Sequence, residues 1–245
     1  MSKVIVITGA GAGLGRTLAR RLAADGEQVV LLGRTAAKVE KVAAELGSKA
    51  TAVACDVASP DSVKAAFKSI AGSHPKIDVL INCAAIYEPF LVADATDAQI
   101  SSILLTNLAG PIYCSRAAIP SMARGAHIIN VSSESVDLPF PHLLLYQSSK
   151  AGLERFSQGL HRELEPTGIR VTTVRAGQMA DADKTVDWDP KAAMAFAQAA
   201  LVAGLNLRER PISQFMSVTS VFRTLIDLPA DLQVTHMTLA ARSSG

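Results

Sequence analysis

From Val4 onward, short runs rich in valine, isoleucine and leucine alternate with alanine-rich stretches of helical period. Such alternation confines a chain to β-α-β units around a parallel sheet. The runs predict strands at Val4–Thr8, Gln28–Leu32, Thr51–Cys55, Val79–Asn82, Ala126–Val131, Arg170–Arg175 and Val234–Leu239. Helices are predicted at Leu14–Asp25, Ala36–Leu46, Pro60–Ala71, Ser101–Ala123, Tyr146–Glu165, Lys191–Leu205 and Pro211–Leu228. The strands are apolar throughout, so both sheet faces need helical cover, which gives a three-layer α/β/α sandwich around a seven-stranded parallel sheet. No internal repeat, low-complexity tract or polar linker divides residues 1–245, and one domain is expected. The regular alternation breaks at about 180–209, where Asp181, Asp183, Asp187, Asp189 and Pro190 precede an apolar helix. That segment reads as an insertion able to act as a lid.

Composition removes several function classes. With 24 Lys+Arg against 22 Asp+Glu, the +2 net charge is too small for phosphate-backbone neutralisation, and no nucleic-acid partner is expected. Charged residues are 19% and hydrophobic ones 49%, enough to bury a core. The longest apolar stretch, Ala192 to Leu207, is interrupted by Gln198, Gly204 and Asn206, so no membrane span is expected. Lys3 is followed by a strand-like run rather than an export segment, and a cytoplasmic location is expected. Cys55, Cys83 and Cys114 lie about thirty residues apart with no partnering histidine pair, and read as reduced structural thiols. His161 and Glu163 have the wrong spacing for a zinc helix, and no metal is expected.

The first strand runs into Thr8-Gly9-Ala10-Gly11-Ala12-Gly13-Leu14-Gly15 and then a helix, where backbone N–H groups and a helix N-terminus can receive a pyrophosphate. Leu14 and Arg16 break Gly-x-Gly-x-x-Gly, while Ala10 and Arg16 break the Walker loop. Thr-Gly-x-x-x-Gly-x-Gly fits, with Gly9, Gly13 and Gly15. After the second strand, Leu31-Leu32-Gly33-Arg34-Thr35 lacks the acid that would bind a ribose 2′-hydroxyl. A guanidinium there suits a 2′-phosphate, which favours NADP over NAD.

At Tyr146-Gln147-Ser148-Ser149-Lys150 the helical spacing places phenol and ammonium on one face. Tyrosine ionises near pH 10; lowering that by about 3 units needs roughly 4 kcal/mol of preferential phenolate stabilisation, which a nearby cation can supply. Ser133 follows the fifth strand, thirteen positions before Tyr146.

The glycine loop, Asp56-Val57 after the third strand, Asn82 after the fourth, Asn107, Ser133, and Tyr146 with Lys150 occur in order over about Lys3 to Gly177. In this the chain resembles the short-chain dehydrogenase/reductase family. The resemblance implies a Rossmann fold with a doubly wound sheet of strand order 3-2-1-4-5-6-7, and hydride transfer between a nicotinamide and an alcohol or carbonyl. It also implies that Tyr146 is the general acid or base, Ser133 holds the reacting oxygen, and Lys150 holds the nicotinamide ribose and depresses the Tyr146 pKa. Asn107 would fix a water linking Lys150 to solvent. Gly9, Gly11, Gly13, Leu14, Gly15, Arg34, Asp56, Val57, Asn82, Ala84, Gly177 and Met179 would meet the cofactor, together with Tyr146 and Lys150. A homodimer or homotetramer built through the two long helices is implied as well. The chain departs from the family pattern at Asn82-Cys83-Ala84-Ala85, where a glycine is usual last, and at Ala176-Gly177-Gln178-Met179, where Pro-Gly is usual. Asp181 stands where a phosphate-contacting threonine is common, and the carboxyl end lacks Asp-Gly-Gly.

Leu138, Phe140, Met179 and Trp188, joined by Val136, Met194 and Phe196, suggest an apolar wall for the substrate beside Ser133 and Tyr146. A bulky substrate such as a hydroxysteroid or cyclic ketone is expected. The alternatives are a 3-oxoacyl thioester reductase and, from another class, a non-catalytic NADP-binding regulatory protein; Arg34 disfavours a methyltransferase.

Overall fold

The computed structural model describes residues 2–180, 188–229 and 231–242. The strands are β1 (Val4–Thr8), β2 (Gln28–Gly33), β3 (Ala50–Ala54), β4 (Val79–Asn82), β5 (His127–Ser133), β6 (Arg170–Ala176), β7 (Met179–Ala180), β8 (Ser213–Gln214) and β9 (His236–Leu239). Seven form one parallel sheet in the order β3-β2-β1-β4-β5-β6-β9, while β7 and β8 pair only with each other. The expected order is therefore found, with β9 as the seventh strand. The short β7–β8 pair carried no periodic signal, since two residues are too few to show one.

The helices are α1 (Gly13–Ala24), α2 (Ala36–Leu46), α3 (Pro60–Ser73), α4 (Asp97–Leu104), α5 (Gly110–Ala118), α6 (Leu144–Leu164), α7 (Pro190–Val202) and α8 (Phe215–Asp227). Alternate strand residues feed opposite cores. Ile5, Ile7, Val29 and Leu31 pack under Leu18 and Leu22 of α1, Val39 of α2 and Phe222 of α8. Val6, Val30 and Leu32 pack under Phe67 and Ile70 of α3, Cys114 of α5 and Leu160 of α6. This two-sided burial is why the strands read as continuous apolar runs. Phe222 is fully buried, so Phe222→Ala is expected to cost about 3–5 kcal/mol. Urea unfolding would register it as a lower midpoint at unchanged slope.

The single helix expected over Ser101–Ala123 is corrected in three ways. It starts at Asp97, because Thr96 and Gln99 form a reciprocal capping box. It ends at Ala118, ahead of a 3-10 turn containing Pro120. Between α4 and α5 lies a π turn, Leu105–Ala109. Pro111 has no N–H for the carbonyl four residues back, that of Asn107, so the regular helical ladder cannot run through this point. The last helix starts at Phe215 rather than Pro211, since Ser213 and Gln214 are taken by β8. Among the described residues no helix is long and apolar enough to cross a membrane.

Candidate active site

Because the sheet is parallel, Thr8, Asn82, Ser133 and Ala176 all close their strands at one edge. The order reverses direction between β1 and β4, and open α/β sheets bind ligands outside the strand ends at such a switch point. Ser133 is the last residue of β5, which runs two residues past its expected end at Val131, and its φ/ψ remain extended.

The glycine loop is shaped by close approaches. Gly9 has φ +70°, and a Cβ on it would lie 2.9 Å from the Ala84 Cα. A Cβ on Gly15 would lie 2.5 Å from the Gly9 carbonyl oxygen, so only glycine lets α1 begin this close to the loop. Gly11 lies against Lys38, and Gly13 faces the Phe215 ring of α8. Ala12 caps α1 without a side-chain bond, which leaves the first-turn N–H groups for an anion. Thr8 Oγ1 accepts hydrogen bonds from the N–H groups of Cys83 and Ala84, both at 3.0 Å, and so ties β1 to the loop after β4. Leu14 packs against Met179, Phe215 and Val218 in a small cluster beside the loop. Gly177 is tight for another reason: a Cβ there would meet the Leu239 carbonyl of β9 at 2.5 Å.

At the end of β2, Arg34 is exposed. Asp56 Oδ1 accepts from the Ala58 N–H at 3.1 Å, shaping the turn after β3, and the adjoining Val57 is buried against Gly110. Asn82 is placed differently from the expected ribose contact. Its Nδ2 donates to Asn130 Oδ1 at 2.8 Å and to Ser115 Oγ at 3.3 Å, and Asn130 Nδ2 continues to Ser157 Oγ at 2.8 Å. The side chain is 2% exposed and belongs to a polar network between β4, β5, α5 and α6.

Helix α6 carries Tyr146 and Lys150 one turn apart, facing the end of β5. The Ser133 hydroxyl is hydrogen-bonded to the Tyr146 phenol and also accepts from the Ser135 N–H at 3.2 Å. Lys150 Nζ donates to the Val131 carbonyl at 2.8 Å and stands 5.8 Å from the Tyr146 ring centre. Burial pushes the Tyr146 phenol up to about 12, against the pull of the Ser133 hydrogen bond. Burial also pulls Lys150 down to about 8, opposed by Cys83 and Glu154. The expected depression of the Tyr146 pKa is therefore corrected for the ligand-free protein, because desolvation of the phenolate outweighs the stabilising contacts. The Cys83 thiol beside Lys150 is itself pushed up to about 11 by burial.

Asn107 is fully buried in the π turn. Its side chain clamps Ile86 from both sides, accepting the Ile86 N–H and donating to the Ile86 carbonyl, each at 2.8 Å, and also donates to Ser149 Oγ at 3.2 Å. The side chain is thereby occupied by protein partners.

On the substrate side, Tyr87 was missed by the sequence reading. Its ring centre lies 5.4 Å from those of both Tyr146 and Trp188, and its carbonyl accepts the Trp188 indole N–H at 3.0 Å. The only signal for it was an aromatic residue in the loop after a strand end. Trp188 packs edge-on against Phe196 of α7 at 5.7 Å, and Phe196 lies 6.3 Å from Phe140. Arg210 stands 5.2 Å over the Phe140 ring and pairs with Glu134, the neighbour of Ser133, at 2.5 Å. Phe140, Trp188 and Phe196 are thus brought together. Leu138 instead lines another cavity, with Val136 and Leu144, and Met194 is 64% exposed, which removes it from the expected wall. Asp181, Asp183 and Asp187 lie outside the described residues.

Comparison with known proteins gives a consistent picture. A family model described as short chain dehydrogenase matches residues 3–192. An uncharacterized oxidoreductase of Staphylococcus aureus (strain USA300) is 33% identical over 194 residues, covering 77% of this chain and 82% of that one. A short chain dehydrogenase from Burkholderia cenocepacia J2315, solved in complex with NADP, is 27% identical with a TM-score of 0.82, covering 97% of this chain and 96% of that one. An alcohol dehydrogenase from the archaeon Thermococcus sibiricus, complexed with 5-hydroxy-NADP, shares the fold at 22% identity and a TM-score of 0.83, with 98% and 97% covered.

Proposed function

Given that the chain belongs to the short-chain dehydrogenase family and is an oxidoreductase, we propose that it is an NADP-dependent enzyme interconverting a secondary alcohol and a ketone. The observation that carries this is Tyr146 and Lys150 one turn apart on α6, with the Lys150 ammonium 5.8 Å from the Tyr146 ring, beside Ser133 at the strand ends of the switch point. The nicotinamide, when bound, supplies or accepts the hydride.

The residues fit such a cofactor. The uncapped start of α1, reached through Gly9, Gly13 and Gly15, suits a pyrophosphate. Exposed Arg34 suits an adenosine 2′-phosphate. With a phenol held at about 12, Tyr146 is protonated at neutral pH, which is the form that donates to a ketone oxygen. Ser133, adjacent through its hydrogen bond, holds that oxygen as negative charge develops. Lys150 is charged below about pH 8 and steadies the phenolate left behind.

A panel of ketones graded in size, run with NADPH and NADH, tests the reading; turnover that does not depend on Tyr146 would overturn it. For the cofactor, Arg34→Ala is expected to lower the NADPH-to-NADH ratio of kcat/KM about tenfold or more. Equal ratios in wild type and variant would remove the role given to Arg34.

A further inference from the structure

Beside the Tyr146 site lies a cavity of about 400 Å³ whose occupant the reaction chemistry leaves open. Tyr87 and Trp188 form one wall, and Ala98, Ser102 and Ile103 of α4 form another. Tyr87 is shared: one ring touches the Tyr146 ring and lines the cavity. A molecule whose carbonyl reaches Tyr146 therefore has Tyr87 as its next neighbour and the cavity beyond it.

We propose that this cavity receives an arm of the substrate, an aryl or similarly flat apolar group joined to the reacting carbonyl by a short chain. The proposal rests on the oxidoreductase reading and names the substrate class for it. Three observations support the assignment. The walls contain two aromatic rings standing at 89° to each other, an arrangement that presents one face and one edge to a flat guest. The Trp188 indole N–H is already satisfied by the Tyr87 carbonyl, and the Ile86 backbone by Asn107, so the walls are held in place before any ligand arrives. Among the described residues, Glu88, joined to Gln99 at 3.1 Å, is the one acid lining the cavity, and no cation lines it. A carboxylate at the end of the arm would meet like charge, whereas a neutral or basic end would not.

The test compares 4-phenyl-2-butanone with 2-butanone in wild type and in Ser102→Phe, a half-buried α4 position outside the catalytic group, whose new ring would fill the cavity. Ser102→Phe is expected to lower kcat/KM for the phenyl ketone about tenfold while 2-butanone stays within about twofold. The chain has a single tryptophan, so Trp188 emission reports occupancy without turnover. In wild type the phenyl ketone should change that emission saturably, and in Ser102→Phe the change should be lost. Equal effects on both ketones, or a saturable emission change that survives Ser102→Phe, would overturn the arm site and leave the redox reading standing. Turnover of neither ketone, with a saturable change that Ser102→Phe abolishes, would overturn the redox reading and keep the cavity as a ligand site.

Discussion

Tyr146→Phe is expected to lower kcat for ketone reduction about 1000-fold, with NADPH affinity and Tm close to wild type. The substitution removes a single oxygen. The ring stays, and with it the 5.4 Å packing on Tyr87 and the helix face that carries Lys150. What disappears is the phenol O–H, the proton offered to the ketone oxygen beside Ser133. Steady-state kinetics with a thermal melt on the same sample separates the two consequences. A loss below about tenfold would mean that the proton comes from elsewhere, since general acid catalysis is worth about 100-fold or more.

Lys150→Met is expected to do two opposite things: abolish most activity, about 100-fold or more, and stabilise the fold at pH 7. Lys150 is 3% exposed and its pKa falls from 10.5 to about 8 through burial. That shift corresponds to about 3 kcal/mol against folding while the ammonium is charged. Losing its bond to the Val131 carbonyl returns about 1 kcal/mol, for a net gain near 2 kcal/mol. The pH dependence follows from the direction of the shift. With the folded pKa lowered, the unfolded chain holds the extra proton between about pH 8 and 10.5, so wild-type stability rises with pH through that window. The advantage of Lys150→Met should therefore shrink across it and be gone before about pH 10.5. Tyr146, raised to about 12, acts in the opposite sense above pH 10, but it is present in both proteins and cancels in the difference. A gap between the two urea midpoints that stays constant from pH 7 to 10 would show that Lys150 is not held charged against burial.

The positions of β1, β2, β4, β5 and β6 were legible because these strands are buried on both faces, which writes their length into the sequence as apolar runs; the strand order came with the family resemblance. Ser133, Tyr146 and Lys150 carry local signals, a strand end and helical spacing, and it was their occurrence in order with the other motifs, through the family resemblance, that made them legible as a site. Less local features escaped. The start of α4 depends on the Thr96–Gln99 box, two polar residues ahead of any apolar period. The π turn depends on Pro111, whose effect falls on a carbonyl four residues earlier. Asn82 looked like a cleft residue by position, yet its amide is drawn under the sheet by Asn130, 48 residues away. Tyr87 matters only because Tyr146 and Trp188 close on it from distant parts of the chain. The Tyr146 pKa turned on how deeply the phenol is enclosed, and spacing carries no information about depth.

The glycine loop belongs to the first fifteen residues, but Phe215 stands against Gly13, and Phe222 seals the face of α1 that bears Leu18 and Leu22. During synthesis, a nascent chain would expose that face until some two hundred further residues had followed. Nucleotide capture must accordingly be a late event in biogenesis, and amino-terminal fragments of this protein should be sticky intermediates in need of chaperones.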